Sequence, residues 1–124
     1  MSLKESTVAA EILPVAARTA DANSSGVDTW NKGRPREAII LLDIGAVSGT
    51  TPTLDLKIQE SSDNSTWNDL AGGAFPQKTA AGFSELAIKG FKRYIRAVHD
   101  VGGTSPSFTA TVLAVFGNGL DEPV

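Results

Sequence analysis

Val47-Ser48-Gly49-Thr50-Thr51-Pro52-Thr53-Leu54 returns farther along the chain as Val101-Gly102-Gly103-Thr104-Ser105-Pro106-Ser107-Phe108. Each copy follows an apolar, strand-like run, residues 38–44 and 94–98. Each precedes an alternating run, residues 54–58 and 108–112. A Gly-Thr-Pro cluster between two such runs carries turn chemistry, so the chain reads as strand, turn, strand, used twice. The two hairpins so formed lie either in facing sheets or side by side. They describe a scaffold and contain no group poised for catalysis.

Working outward, Ile39-Ile40-Leu41-Leu42 is a continuous apolar run, which implies burial on both faces or a central position. Leu54, Leu56 and Ile58 alternate with Asp55, Lys57 and Gln59, giving one buried and one wet face. In the last strand, Phe108, Ala110, Val112, Ala114 and Phe116 share one face. Thr109, Thr111, Leu113 and Val115 share the other, which turns apolar towards its end and implies cover by a partner or by the N-terminal segment. Residues 7–17 are small and apolar but contain Pro14, which breaks helix interiors and is tolerated in strands at an edge or bulge. The reading is an extended arm or edge strand over residues 1–18, a β-sandwich over 19–117 and a tail over 118–124. Seven to eight antiparallel strands with frequent turn signals make a single-domain, all-β, jelly-roll-like sandwich.

The chain has 124 residues, 41% hydrophobic and 20% charged, with a net charge of −3. That suits one domain and opposes the phosphate contacts of a nucleic-acid binder. Basic residues gather at Lys32, Arg34 and Arg36 and again at Lys89, Lys92, Arg93 and Arg96, but strand alternation is expected to spread them over different faces. With no cysteine, disulfides, thiolate metal sites and cysteine nucleophiles are excluded. A reducing cytoplasm is expected as the place of synthesis. Residues 1–6 lack the basic start and apolar core of a signal peptide, and no apolar run reaches the length of a spanning helix, so no membrane association is expected.

No enzyme constellation emerges. His99 is the single histidine and has no nucleophile elbow to serve. Asp43 interrupts an apolar strand, and a structural partner such as Arg96 on a neighbouring strand explains it without chemistry. No cofactor and no metal are expected. The stretch Ser61-Ser62-Asp63-Asn64-Ser65-Thr66-Trp67 resembles the Ser-x-Asp-Gly-x-Thr-Trp hairpin of discoidin-like modules and, distantly, the Asp box of sialidase propellers. The glycine of that hairpin is missing here, and the Asp-box spacing is one residue short. Asp63 and Asn64 are expected to close an Asx-type turn, with the Trp67 ring packed back across it. Trp30 beside a basic Gly/Pro turn is a candidate contact residue.

Residues 26–30 and 36–43, the run from Leu54 through Trp67, and residues 92–98 together resemble small structural proteins of tailed-bacteriophage heads, in particular capsid decoration, or cement, proteins. The resemblance implies a non-enzymatic, homo-oligomeric virion protein that binds the major capsid protein on the outside of the shell and is made in the bacterial host cytoplasm. The expected contacts are Leu3, Val8, Ile12 and Val15 against a neighbouring subunit, and Trp30, Arg34 and Arg36 against the capsid. On this reading, deleting residues 2–15 abolishes shell binding and leaves the fold intact. The alternatives are a carbohydrate-binding module of a phage fibre or adhesin, using Trp67 or Trp30, and a tail or head–tail connector component.

Overall fold

The structure, a computed structural model, describes residues 8–117. It is built from β1 (Val8–Arg18), β2 (Ala22–Asn23), β3 (Val27–Asp28), β4 (Glu37–Ser61), β5 (Asn68–Ala74), β6 (Gly82–Lys89) and β7 (Tyr94–Gly117), with one short 3₁₀ turn at Thr29–Lys32. All seven strands belong to one antiparallel sheet. Its spine is a ribbon of two very long strands, β4 of 25 residues and β7 of 24. They pair with each other from Glu37 opposite Gly117 to Ser61 opposite Tyr94. On the first half of this ribbon, β1 adds to β7 and β6 adds to β4. On the second half, β2 and β3 add to β7 and β5 adds to β4. The inward faces of both halves share one apolar core, so the single sheet makes a sandwich of jelly-roll type.

The repeated phrase sits where the ribbon bends. The two copies do not close two separate hairpins. They pair with each other, Val47 opposite Phe108, Ser48 opposite Ser107, Thr50 opposite Thr104, Thr53 opposite Gly102 and Leu54 opposite Val101. The register slips twice across this stretch, and paired bulges of that kind bend strands from one layer of a sandwich to the other. Both copies take the same backbone: φ is +109° at Gly49 and +110° at Gly103, then +47° at Thr51 and +50° at Ser105. A Cβ on Gly49 would lie 2.6 Å from the Ser105 carbonyl oxygen and 2.8 Å from the Pro106 Cα. One on Gly103 would lie 2.7 Å from the Thr51 oxygen and 3.0 Å from the Pro52 Cα. Each glycine therefore packs on the threonine–proline part of the opposite copy, and the arrangement is reciprocal about a local two-fold.

Alternation then fills the core. Ile40, Leu42 and Ile44 with Ala110, Val112 and Phe116 line the first half, and Leu54, Leu56 and Ile58 with Ile95 and Ala97 line the second. The apolar run 39–42 is central in its sheet but not buried on both sides, since Ile39 is 44% exposed while Ile40 is fully covered. Asp43 is exposed on the outer face between Phe83 and Thr111, and Arg96 binds elsewhere, so the expected Asp43–Arg96 pair does not form.

β1 is an edge strand on β7, and its register slips on either side of Leu13, where Pro14 is accommodated in the bulge. Ile12, expected to reach a neighbouring subunit, is 5% exposed and packs with Leu13 inside its own core. Burying two such side chains contributes roughly 3–6 kcal/mol. A deletion through residue 15 removes both and cannot leave the fold untouched.

The corner packing has a direct consequence for stability. Gly49→Ala and Gly103→Ala are each expected to cost about 2–4 kcal/mol, from the backbone clash and the positive φ together. Gly72→Ala, at a positive φ with open space around it, is expected to cost about 1 kcal/mol. Urea unfolding of the three variants checks this; equal losses at all three sites would contradict it.

Candidate interaction surface

Asp28 ends β3 and caps the short 3₁₀ turn, its Oδ1 accepting from the Trp30 backbone N–H at 3.0 Å. Gly33, at φ +86°, stops the turn, and Arg34 follows at φ +49°. The same Asp28 carboxylate takes two hydrogen bonds from Arg93, Nε to Oδ1 at 3.0 Å and Nη2 to Oδ2 at 2.9 Å. This fork holds the Asp28 carboxyl below the usual carboxylate range and raises the guanidinium in turn. Arg93 is thereby fixed over Trp30, 4.5 Å from the ring centroid, and over Tyr94 at 5.0 Å. Arg34 also lies over Trp30, at 4.0 Å. The result is a stack of two arginines and two aromatic rings in which Trp30 is still 47% exposed.

Next to it, Arg96 projects from the outer face of β7 over Trp67, 4.5 Å from the ring. Arg96 donates through Nε and Nη2 to Gln59 Oε1, and Gln59 donates to Asp69, which also accepts from Lys57. The turn before Trp67 closes as expected. Asp63 Oδ1 accepts from the Ser65 and Thr66 N–H groups, and Asn64 takes φ +60°. Gly26 lies against the Trp67 ring, where a Cβ would touch Cη2 at 3.1 Å. The outer face of the second half is thus cross-linked by polar groups.

His99 lies on the inward face of β7 and is 2% exposed. Neither ring nitrogen has a hydrogen-bond partner; the Ala20 main chain is near but makes no well-formed bond. Burial pushes its pKa below 6.5, helped by the positive charge of Arg18 and partly opposed by Asp100 and Asp21. Among the described residues, no group of three or more His, Asp or Glu is placed to hold a metal ion, and no helix is long and apolar enough to cross a membrane.

Of the residues singled out by sequence, Trp30 and Arg34 come together in the stack. Arg36 is elsewhere. Its backbone N–H donates to the Gly117 oxygen, and its oxygen accepts from Gly90, at the open end of the first half. Val15 is exposed on the β1 edge, Val8 begins that strand, and Leu3 lies outside the described residues. Sequence reasoning missed Asp28, Arg93 and Tyr94 as members of the cluster. Their meeting depends on the pairing of β3 with β7, Asp28 opposite Tyr94, across more than sixty residues of chain. The local signal was an Asp one residue before the turn that carries Trp30.

No protein-family model and no curated protein sequence matches the chain. Solved structures are similar to it to different degrees. The PBSX exported protein XepA superposes with a TM-score of 0.64 at 20% identity, covering all of this chain and 42% of XepA, so this chain spans less than half of XepA's length. The SPBc2 prophage-derived protein YomS aligns with a TM-score of 0.49 at 11% identity over 88% of this chain and 92% of YomS. A protein of the disulfide-linked pili that form Bacillus endospore appendages aligns at 0.50 and 12% identity over 92% of this chain and 89% of its own.

The buried histidine sets a pH signature. The unfolded chain takes up a proton near pH 6.5, while folded His99 resists it, so the stability it permits is complete above that pH and is lost as the pH falls below it. The lowered carboxylates Asp28, Asp63 and Asp69 act only below their ordinary 3.8. The melting temperature is therefore expected to fall between pH 7 and pH 5, and His99→Leu to flatten that fall. Parallel pH profiles for the two proteins would contradict the assignment.

Proposed function

We propose that the chain is a non-enzymatic structural protein of a phage particle, bound to the outside of the capsid and bridging major capsid subunits. The observation that carries this reading is the Trp30 corner. Tryptophan, tyrosine and arginine are the residue types that dominate protein–protein hot spots, and here a carboxylate fork holds them in place before any partner arrives. Pre-ordering lowers the entropic cost of docking, and many weak copies on one shell add through multivalency. The setting is supported by the resemblance of residues 26–30, 36–43, 54–67 and 92–98 to phage head proteins, and the likeness to XepA adds the fold, which by itself hosts many functions.

The glycan-binding alternative has less support. Sugar stacking needs an open aromatic face, whereas Trp30 is flanked by two guanidinium groups and Trp67 is covered by Arg96 and backed by Gly26.

Co-sedimentation with isolated, expanded shells of a phage that encodes the chain tests the proposal. The wild-type protein is expected to pellet with shells, and the Trp30→Ala, Arg34→Ala double variant to lose affinity about tenfold or more while its circular dichroism is unchanged. Equal pelleting with and without shells would overturn the proposal.

A further inference from the structure

We infer that the outer face of the first half-sheet is a docking surface for a protein partner that is apolar at its centre and basic at its margin. Cross-strand register assembles this face in layers. Ala9, Val115, Ile39 and Ala87 stand side by side in one layer, and Glu11, Leu113, Leu41 and Glu85 in the next. Asp43 and Phe83 follow in the third. Three of the most exposed large apolar side chains, Ile39, Leu113 and Phe83 at 44%, 37% and 62%, lie on this one face. At its end it opens into a depression of about 500 Å³ between Ile39, Ala87, Val115 and Gly117. Contiguous exposed apolar surface rimmed by polar groups marks interaction sites.

Two features select the occupant. The first is cover. The runs 39–42 and 113–115 carry the apolar pattern of a sheet buried on both sides. From residue 9 onward, β1 adds beside β7 as an edge strand and does not cross the outer face. The second is charge. Glu11 and Glu85 flank the Leu113–Leu41 pair on both edge strands, and Asp43 follows below them. Among the described residues these three carboxylates have no ion-pair partner, in contrast to the cross-linked outer face of the second half. A second copy of the chain would bring two such acidic rims together, and among the described residues the cation of this face, Lys89, already stands opposite Glu37. Anionic lipid and nucleic acid are repelled by the same carboxylates. A partner with Lys or Arg around an apolar patch satisfies both the centre and the rim. The inference stands on this face alone and does not depend on the shell reading.

The test is an amide-shift NMR titration of the full chain with three synthetic strand peptides of equal length, alternating Lys/Leu, Glu/Leu and Lys/Ser. Shifts from the Lys/Leu peptide are expected to map to residues 39–43 and 111–115, with at least tenfold weaker binding of the other two. Glu11→Lys with Glu85→Lys is expected to reverse the preference towards the Glu/Leu peptide, and Leu113→Asn to weaken binding at least fivefold with the spectrum otherwise retained. Three results would each overturn the inference: no binding of the Lys/Leu peptide at this face, equal binding of all three peptides, or a concentration-dependent dimer in sedimentation velocity that Leu113→Asn abolishes.

Discussion

The close approach of two backbones at Gly49 and Gly103 is the constraint on which the rest of the molecule depends. Each glycine rests on the threonine–proline part of the opposite strand, at a separation no side chain permits. The positive φ angles on both sides turn the β4–β7 ribbon through a corner, and the corner brings the two inward faces together over one core. Without that bend the ribbon would be a long two-stranded sheet with its apolar side open. Burial of Phe108 and Leu54, next to the corner, ties its geometry to the hydrophobic driving force.

Once folded over, the sheet presents two outer faces of different chemistry. The second half is wet and internally bonded, with Lys57, Asp69, Gln59 and Arg96 in one chain of contacts ending on Trp67. Beside it, the Asp28–Arg93 fork props the Trp30 stack. The first half is apolar at its middle and acidic at its edges. The one stiff body thus carries two chemically distinct outer faces around an interior in which the His99 ring nitrogens have no hydrogen-bond partner.

Much of the fold was legible in the sequence because alternation is a local signal. The inward sets 54, 56, 58 and 108, 110, 112, 114, 116 could be read directly, as could the Pro14 irregularity and the Asp63 turn. The repeated phrase was seen but its geometry was not. A Gly-Thr-Pro cluster carries the same local chemistry whether it reverses a chain or bends one, and the choice is made by pairing with the other copy, a contact between segments far apart in sequence. The same limit explains the site. Trp30 and Arg34 are near neighbours in the chain, whereas Arg93 and Tyr94 join them through β3–β7 pairing. Ile12 was misplaced because an apolar residue on an edge strand looks alike from sequence whether it faces its own core or a neighbour.

The reciprocal corner can be observed directly by nuclear Overhauser contacts in the isotope-labelled chain. Contacts between Thr50 and Thr104 and between Leu54 and Val101, with backbone couplings that place Thr51 and Ser105 at positive φ, are the expected result. Contacts of Val47 with Leu54 and of Val101 with Phe108, as in two independent hairpins, would contradict the account.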